Sequence, residues 1–122
     1  MIPLLLALAA AVGAASRFVI DDALSSPDSH LPRGTWTVNV VGSLALGLFA
    51  GAADVGALSA SGLTILGTGF CGGFTTFSTA SLDSVKLARR DLGWIAAVNS
   101  AGMIVVCVAA AALGFAIASR VC

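Results

Sequence analysis

Four apolar stretches, at roughly residues 2–20, 35–53, 62–85 and 92–118, take up most of this chain of 122 residues. Each comes close to the ~20 residues that a helix needs to cross the hydrocarbon of a bilayer. Inside hydrocarbon every backbone N–H and C=O must find its partner within the protein, so helices are the natural spanning element. The chain therefore reads as an all-α membrane protein of four transmembrane helices, a single integral membrane domain over residues 1–122. Composition agrees, with 58% hydrophobic and only 10% charged residues. The opening M-I-P-L-L-L-A-L-A-A-A-V-G-A-A-S has the small residues of a signal peptide. It lacks a basic leader, however, and its apolar run continues through Phe18 to Ile20, so a retained first helix is expected.

The connections between these stretches are short. The first, around D-D-A-L-S-S-P-D-S-H-L-P-R-G, is aqueous in character. The second lies around Asp54 to Ser61 and the third, Lys86 to Asp91, is a charged turn. Such connections give an up-and-down series with both termini on one side. Arg33, Lys86, Arg89 and Arg90 lie in the connections opposite the termini, and Arg17 lies near that end of the first helix; Arg120 alone stands against them. Orientation follows Lys and Arg in short loops. The first and third connections are thus predicted to be cytoplasmic and the termini outside, in a multi-pass protein of the cell inner (plasma) membrane.

Several classes of function are excluded by what the sequence lacks. Formal net charge is zero and the basic residues are scattered, which leaves no footprint for nucleic acid. Cys71, Cys107 and Cys122 show neither CxxC nor Cys/His spacing, and His30 sits in a polar loop, where it reads as a solvated surface residue. There is no glutamate, no histidine in an apolar stretch and no nucleophile with a base, so an enzyme is not expected.

Two features stand out within the apolar stretches. In the second, Thr35, Asn39, Ser43, Gly47 and Gly51 recur every four residues and share one helical face. Stripes of small residues let membrane helices approach closely. The stripe is an interface either within the subunit or, as the small size of the chain favours, between subunits. The third stretch contains G-T-G-F-C-G-G-F-T-T-F-S-T-A-S, Gly67 to Ser81. Its glycines and hydroxyl residues read as a place where a helix unwinds near its middle, freeing carbonyls for a cation and N–H groups for an anion. The alternative is that the glycines only permit tight helix crossing. Asn39, Asn99 and Ser100 are further buried polar candidates, and Arg17 reads either as snorkelling to the interface or as drawing anions into a vestibule. Asp83 is expected to pair with Lys86 at the surface.

The run G-F-C-G-G-F-T-T-F-S-T, Gly69 to Thr79, resembles the signature of the small four-helix fluoride channels, the Fluc or CrcB family. G-A-A-S-R-F around Arg17, T-W-T-V-N-V-V-G-S around Asn39 and S-L-D ending at Asp83 stand in the matching order, while the fourth helix fits by length and hydrophobicity. The resemblance implies a passive fluoride channel, or a subunit of one, built as an antiparallel dimer with two fluoride pathways at its interface. It implies a structural Na⁺ at the dimer centre on the backbone carbonyls of Gly72 and Thr75. It implies that Asn39, Phe77 and the hydroxyls of Thr76, Ser78 and Thr79 line the fluoride pathway, and that Arg17 marks the vestibule. Two positions depart from the family pattern. Ala80 replaces the second phenylalanine of the motif, and Asn99, Met103 and Cys107 stand where tyrosine and serines are usual. Together with the one-sided basic residues, these departures lead to the expectation of a paralogous partner inserted in the opposite orientation. The rival readings are a small multidrug-type antiporter, which needs a membrane-embedded carboxylate, and a non-conducting membrane scaffold.

Overall fold

Pro3 occupies the first turn of the first helix, where its missing N–H costs no hydrogen bond. From that start α1 runs Ile2–Leu24 and carries Asp21 and Asp22 inside its last turns. The computed structural model describes residues 1–25 and 31–121, so the expectation for His30, like that for Cys122, lies outside the described residues. Helix α2 spans Arg33–Asp54 and follows Pro32 at its N-cap. Gly56, at φ 78°, turns the chain toward α3, whose N-cap Ser59 accepts a hydrogen bond from the Gly62 N–H at 3.1 Å.

Helix α3 covers residues 60–74 in three continuous parts: Ala60–Leu63 is α-helical, Thr64–Cys71 is π-helical and Gly72–Phe74 is α-helical again. Thr75 and Thr76 then take extended backbone angles (φ −88°, ψ 163° and φ −148°, ψ 122°), and α4 spans Phe77–Ala88. After a turn with Asp91 at φ 59°, α5 runs Gly93–Val121 through a π-helical turn at Val98–Gly102. Among the described residues, three helices are long and apolar enough to cross a membrane: α1, α2 and α5. Residues 67–83 follow one antiparallel course along α2, from Gly67 beside Leu46, through Thr75 beside Gly42, to Asp83 bonded to Thr35. Among the described residues the fold is entirely helical.

Two seams hold these helices together, and both run parallel. On one, Gly69 meets Leu6 and Gly73 meets Ala10, so α3 lies along α1. On the other, Gly47 meets Ala111 and Gly51 meets Phe115, so α5 lies along α2. Lipid tails are as apolar as leucine, and association within a bilayer therefore relies on close packing rather than on hydrophobic burial. Gly114 shows how close that packing is. A Cβ there would run into the Leu44 carbonyl oxygen and stand 2.9 Å from the Leu48 nitrogen. Apart from these seams the core is small, with Val38, Phe74, Leu87 and Met103 among its buried hydrophobic residues, whereas Leu4, Phe18, Val105 and Val108 point outward.

The small-residue stripe of α2 faces inward. Thr35, Asn39, Gly47 and Gly51 are all buried within the single chain, so the expectation of an interface between subunits is corrected here. The physical reason is that α5 has its own small residues, Ala111, Gly114 and Ala118, facing the stripe. Substituting Gly114→Ala is expected to lower stability by about 1–3 kcal/mol through overpacking. Gly93→Ala, where an added Cβ meets nothing within 4 Å, should leave the chain unchanged or stabilise it by up to about 1 kcal/mol through helix propensity. Thermal unfolding of the detergent-solubilised variants checks both.

Candidate functional site: a polar groove between three helices

Helix α4 presents Phe77, Ala80, Ser81 and Ser84 at the i, i+3, i+4, i+7 spacing of one helical face. Facing it, α5 presents Asn99, Met103 and Cys107, each four residues from the next. With Asn39 and Ser43 of α2 and the two threonines between α3 and α4, these faces enclose a groove of ≈ 390 Å³. Among the described residues, its lining carries no Asp, Glu, His, Lys or Arg.

At the head of the groove the chain leaves helix for two residues, and this backbone is satisfied from a distance. The Thr76 N–H donates to Asn39 Oδ1 at 2.7 Å, and Asn39 Nδ2 donates back to the Thr76 carbonyl at 2.9 Å. The Asn39 side chain thus replaces the partner that a neighbouring helical turn would have supplied. Its remaining N–H points to the Met103 thioether, with Nδ2 and Sδ 3.1 Å apart. Thr75 keeps its link to the preceding turn, since both its N–H and its hydroxyl donate to the Cys71 carbonyl at 2.9 Å. Thr76 then caps α4: its Oγ1 accepts from the Thr79 N–H at 3.2 Å and donates to Thr79 Oγ1 at 3.0 Å. The N-terminus of α4, with the partial positive charge of its first N–H groups, therefore opens on the groove.

Farther along, Asn99 ties three helices together. Fully buried, it accepts from Trp36 Nε1 at 2.8 Å and donates to Ser84 Oγ at 2.7 Å and to the Ala80 carbonyl at 3.3 Å. Ser100 adds a hydroxyl contact to Ser84 at 2.8 Å. Ser84 and Trp36 are members of this network that sequence reasoning missed. The helical repeat of Phe77, Ala80 and Ser84 could have revealed the first; nothing local could have revealed the second.

The residues singled out from the sequence divide into groups. Asn39, Thr75, Thr76 and Phe77 come together around the groove, and Phe77 is 82% exposed at its mouth. Thr79 joins through the Thr76 cap, and Ser78 is exposed with its hydroxyl 3.3 Å from that of Thr76. Gly72 is exposed, with open space where a Cβ would be. Arg17 lies apart from the groove on α1, half-buried, with an enclosed Nε that has no hydrogen-bond partner among the described residues. Asp83 does reach Lys86, at 3.9 Å, but its shorter contact is with the buried Thr35 hydroxyl, which donates to it at 2.9 Å. The expected pair with Lys86 is thus present, and the bond from Thr35 adds an anchor to α2 that the sequence did not suggest. Among the described residues, no group of three or more His, Cys, Asp or Glu side chains is placed to hold a metal ion.

These features define a small helical membrane protein with a neutral groove rich in hydrogen-bonding groups. The chain belongs to the CrcB family: the family described as CrcB-like protein, Camphor Resistance (CrcB), matches it over residues 4–115, which reaches well into α5. It is 43% identical to the fluoride-specific ion channel FluC 1 of Frankia casuarinae, over 97% of this chain and 96% of that protein. It is 45% identical to the fluoride-specific ion channel FluC 2 of Cutibacterium acnes, over 93% and 94% of the two chains. With the fluoride-specific ion channel FluC 2 of Rhodococcus jostii it shares 41% identity, over 98% of this chain and all of the relative.

Removing the Asn99 amide takes the acceptor from the Trp36 N–H, whereas Ser84 keeps its bonds to the Ala80 carbonyl and to Ser100. Asn99→Ala is expected to cost about 1–3 kcal/mol of stability, the penalty for a buried donor left unpaired. It should also shift the emission of Trp36, recorded in a Trp94→Phe background so that Trp36 is the only indole.

Proposed function

We propose that this chain is a fluoride-selective ion channel, or a subunit of one, that lets cytoplasmic fluoride leave the cell passively and so reduces fluoride toxicity. The observation that carries this reading is the identity of more than 40%, along nearly the whole chain, to proteins named as fluoride-specific ion channels. The chemistry of the groove supports it. A small anion gives up tightly held water only where donors replace it, and the groove offers an asparagine amide, serine and threonine hydroxyls and a helix N-terminus. A proton-coupled antiporter needs a membrane-embedded carboxylate along its route, and among the described residues the groove lining has none.

The finer parts of the proposal concern assembly. Two subunits pair antiparallel in the inner membrane, and Phe77, exposed in the single chain, lines the pathway against the partner. A structural Na⁺ at the dimer centre is held by the carbonyls of Gly72 and Thr75. Oxygen ligands suit a hard cation, Thr75 lies outside any helix, and Gly72 leaves open space on its outer side. Arg17 marks the vestibule. Because the basic residues gather in the connections opposite the termini, the termini face outward, and the partner is a paralogous chain inserted the other way.

Reconstituted in liposomes, the protein is expected to release fluoride in preference to chloride without a proton gradient, and Asn39→Ala and Phe77→Ala should each lower that flux by at least about tenfold, equivalent to 1.4 kcal/mol of barrier. Replacing Na⁺ with a large organic cation should lower it as well. Normal conduction by both variants would reject the pathway assignment, and a fluoride-impermeable protein would reject the function. Orientation is checked separately, by labelling cysteines placed at the termini of the chain expressed alone. A single outward population is expected; an even mixture with full fluoride flux would show that the chain pairs with itself.

A further inference from the structure

Asn39 has no hydrogen-bonding group to spare in this structure. Its carbonyl oxygen is taken by the Thr76 N–H, one N–H by the Thr76 carbonyl, and the other by the Met103 thioether. These partners are unequal. The two bonds to Thr76 are ordinary amide bonds that fix the backbone between α3 and α4, whereas a thioether sulfur is a weak acceptor. The N–H aimed at Met103 is also the one on the groove side, because Met103 itself lines the groove while its side chain is otherwise buried.

We propose that Met103 is a displaceable acceptor gate: its sulfur holds the groove-facing N–H of Asn39 until an entering fluoride takes that N–H and the methionine side chain swings aside. The inference rests on the fluoride-channel reading and assigns to α5 a residue that governs access to Asn39. The physical case has three parts. A buried donor left without a partner is costly, so some acceptor must occupy that N–H while the groove holds no anion. A strong acceptor such as a carbonyl would resist displacement, and a thioether gives way to a fluoride ion that forms a charge-assisted bond to the same N–H. Methionine is unbranched with three rotatable bonds and can repack where a branched residue cannot. Room for the movement exists in the groove of ≈ 390 Å³, where Ala80 faces the same space with a side chain of minimal size. No covalent step is involved; one hydrogen bond is exchanged for another.

Substitutions at Met103 that roughly keep its volume but change its acceptor strength test the gate in both directions. Met103→Leu removes the acceptor and should let fluoride engage Asn39 at a concentration about three- to tenfold lower than in the wild type, the factor that one hydrogen bond of ordinary net strength is worth. Met103→Gln offers a carbonyl in place of the sulfur and should raise that concentration by a similar factor. The readout is the side-chain amide resonance of Asn39 in the intact, micelle-solubilised chain, titrated with sodium fluoride and, as a control, with sodium chloride. Fluoride efflux from liposomes, measured beside it, should change in the same order. Equal titrations for wild type, Leu and Gln variants, with fluoride still moving the Asn39 signal, overturn the gate and leave the channel reading intact. An Asn39 amide that ignores fluoride in all three proteins overturns the assignment of Asn39 to the pathway and the gate with it.

Discussion

The reciprocal pair of hydrogen bonds between the Asn39 side chain and the Thr76 backbone is the contact on which the site depends. A helix that stops inside a membrane exposes N–H and C=O groups that no water can satisfy, at a cost of several kcal/mol for each. One primary amide has a donor and an acceptor in the geometry that a peptide group needs, and Asn39 sits on α2 where Thr76 passes. With the backbone satisfied there, α4 can begin afresh at Phe77, and its N-terminus falls at the groove instead of at an aqueous end. Thr75 secures the other side by returning both of its donors to Cys71. The backbone N–H groups of both extended residues are therefore engaged, and their position is fixed from α2 as much as from α3.

Glycine serves a different purpose in this fold from the one its position in the sequence suggests. The glycines of the third stretch look like the weak point of a helix, yet Gly67, Gly69, Gly72 and Gly73 all lie in helical backbone. Gly69 and Gly73 bring α3 against α1, with the Ala10 carbonyl lying where a Cβ on Gly73 would be. The residues that depart from helix are Thr75 and Thr76, whose branched side chains disfavour helix, and the partner of Thr76 is 37 positions away in sequence. Local propensity cannot report such a contact. It identifies the region and misplaces the reason.

Other features were legible to different depths for similar causes. The apolar stretches stand out because nothing else in a short sequence resembles about twenty residues with at most one charge. The end of α1 was harder to place: Asp21 and Asp22 mark an aqueous boundary, but a helix continues through charged residues when its backbone is satisfied, and α1 reaches Leu24. The α2 stripe was visible as an interface, while its partner was not, because Ala111, Gly114 and Ala118 in a run of alanines carry no signal of their own. Asn99 was visible as a buried polar residue. Its bond to Trp36 was not, since an indole at a membrane boundary is ordinary without any partner.

Ala80 and Met103 are best understood together. Both depart from the family pattern implied by the motif, and both line the same groove on facing helices. A small residue on α4 leaves space, and a long flexible one on α5 reaches the Asn39 amide across it. The loss of an aromatic side chain on one wall is thus accompanied by a polarizable side chain on the other, so the groove keeps an apolar lining at that level while its one exchangeable N–H stays covered. A serine at 103 would leave a hydroxyl that both donates and accepts, and in the proposed gate it would compete with Asn39 for the same anion instead of yielding to it. Under that proposal the two departures change how the Asn39 donor is presented: occupied by a weak acceptor at rest and open to a stronger one when an anion enters.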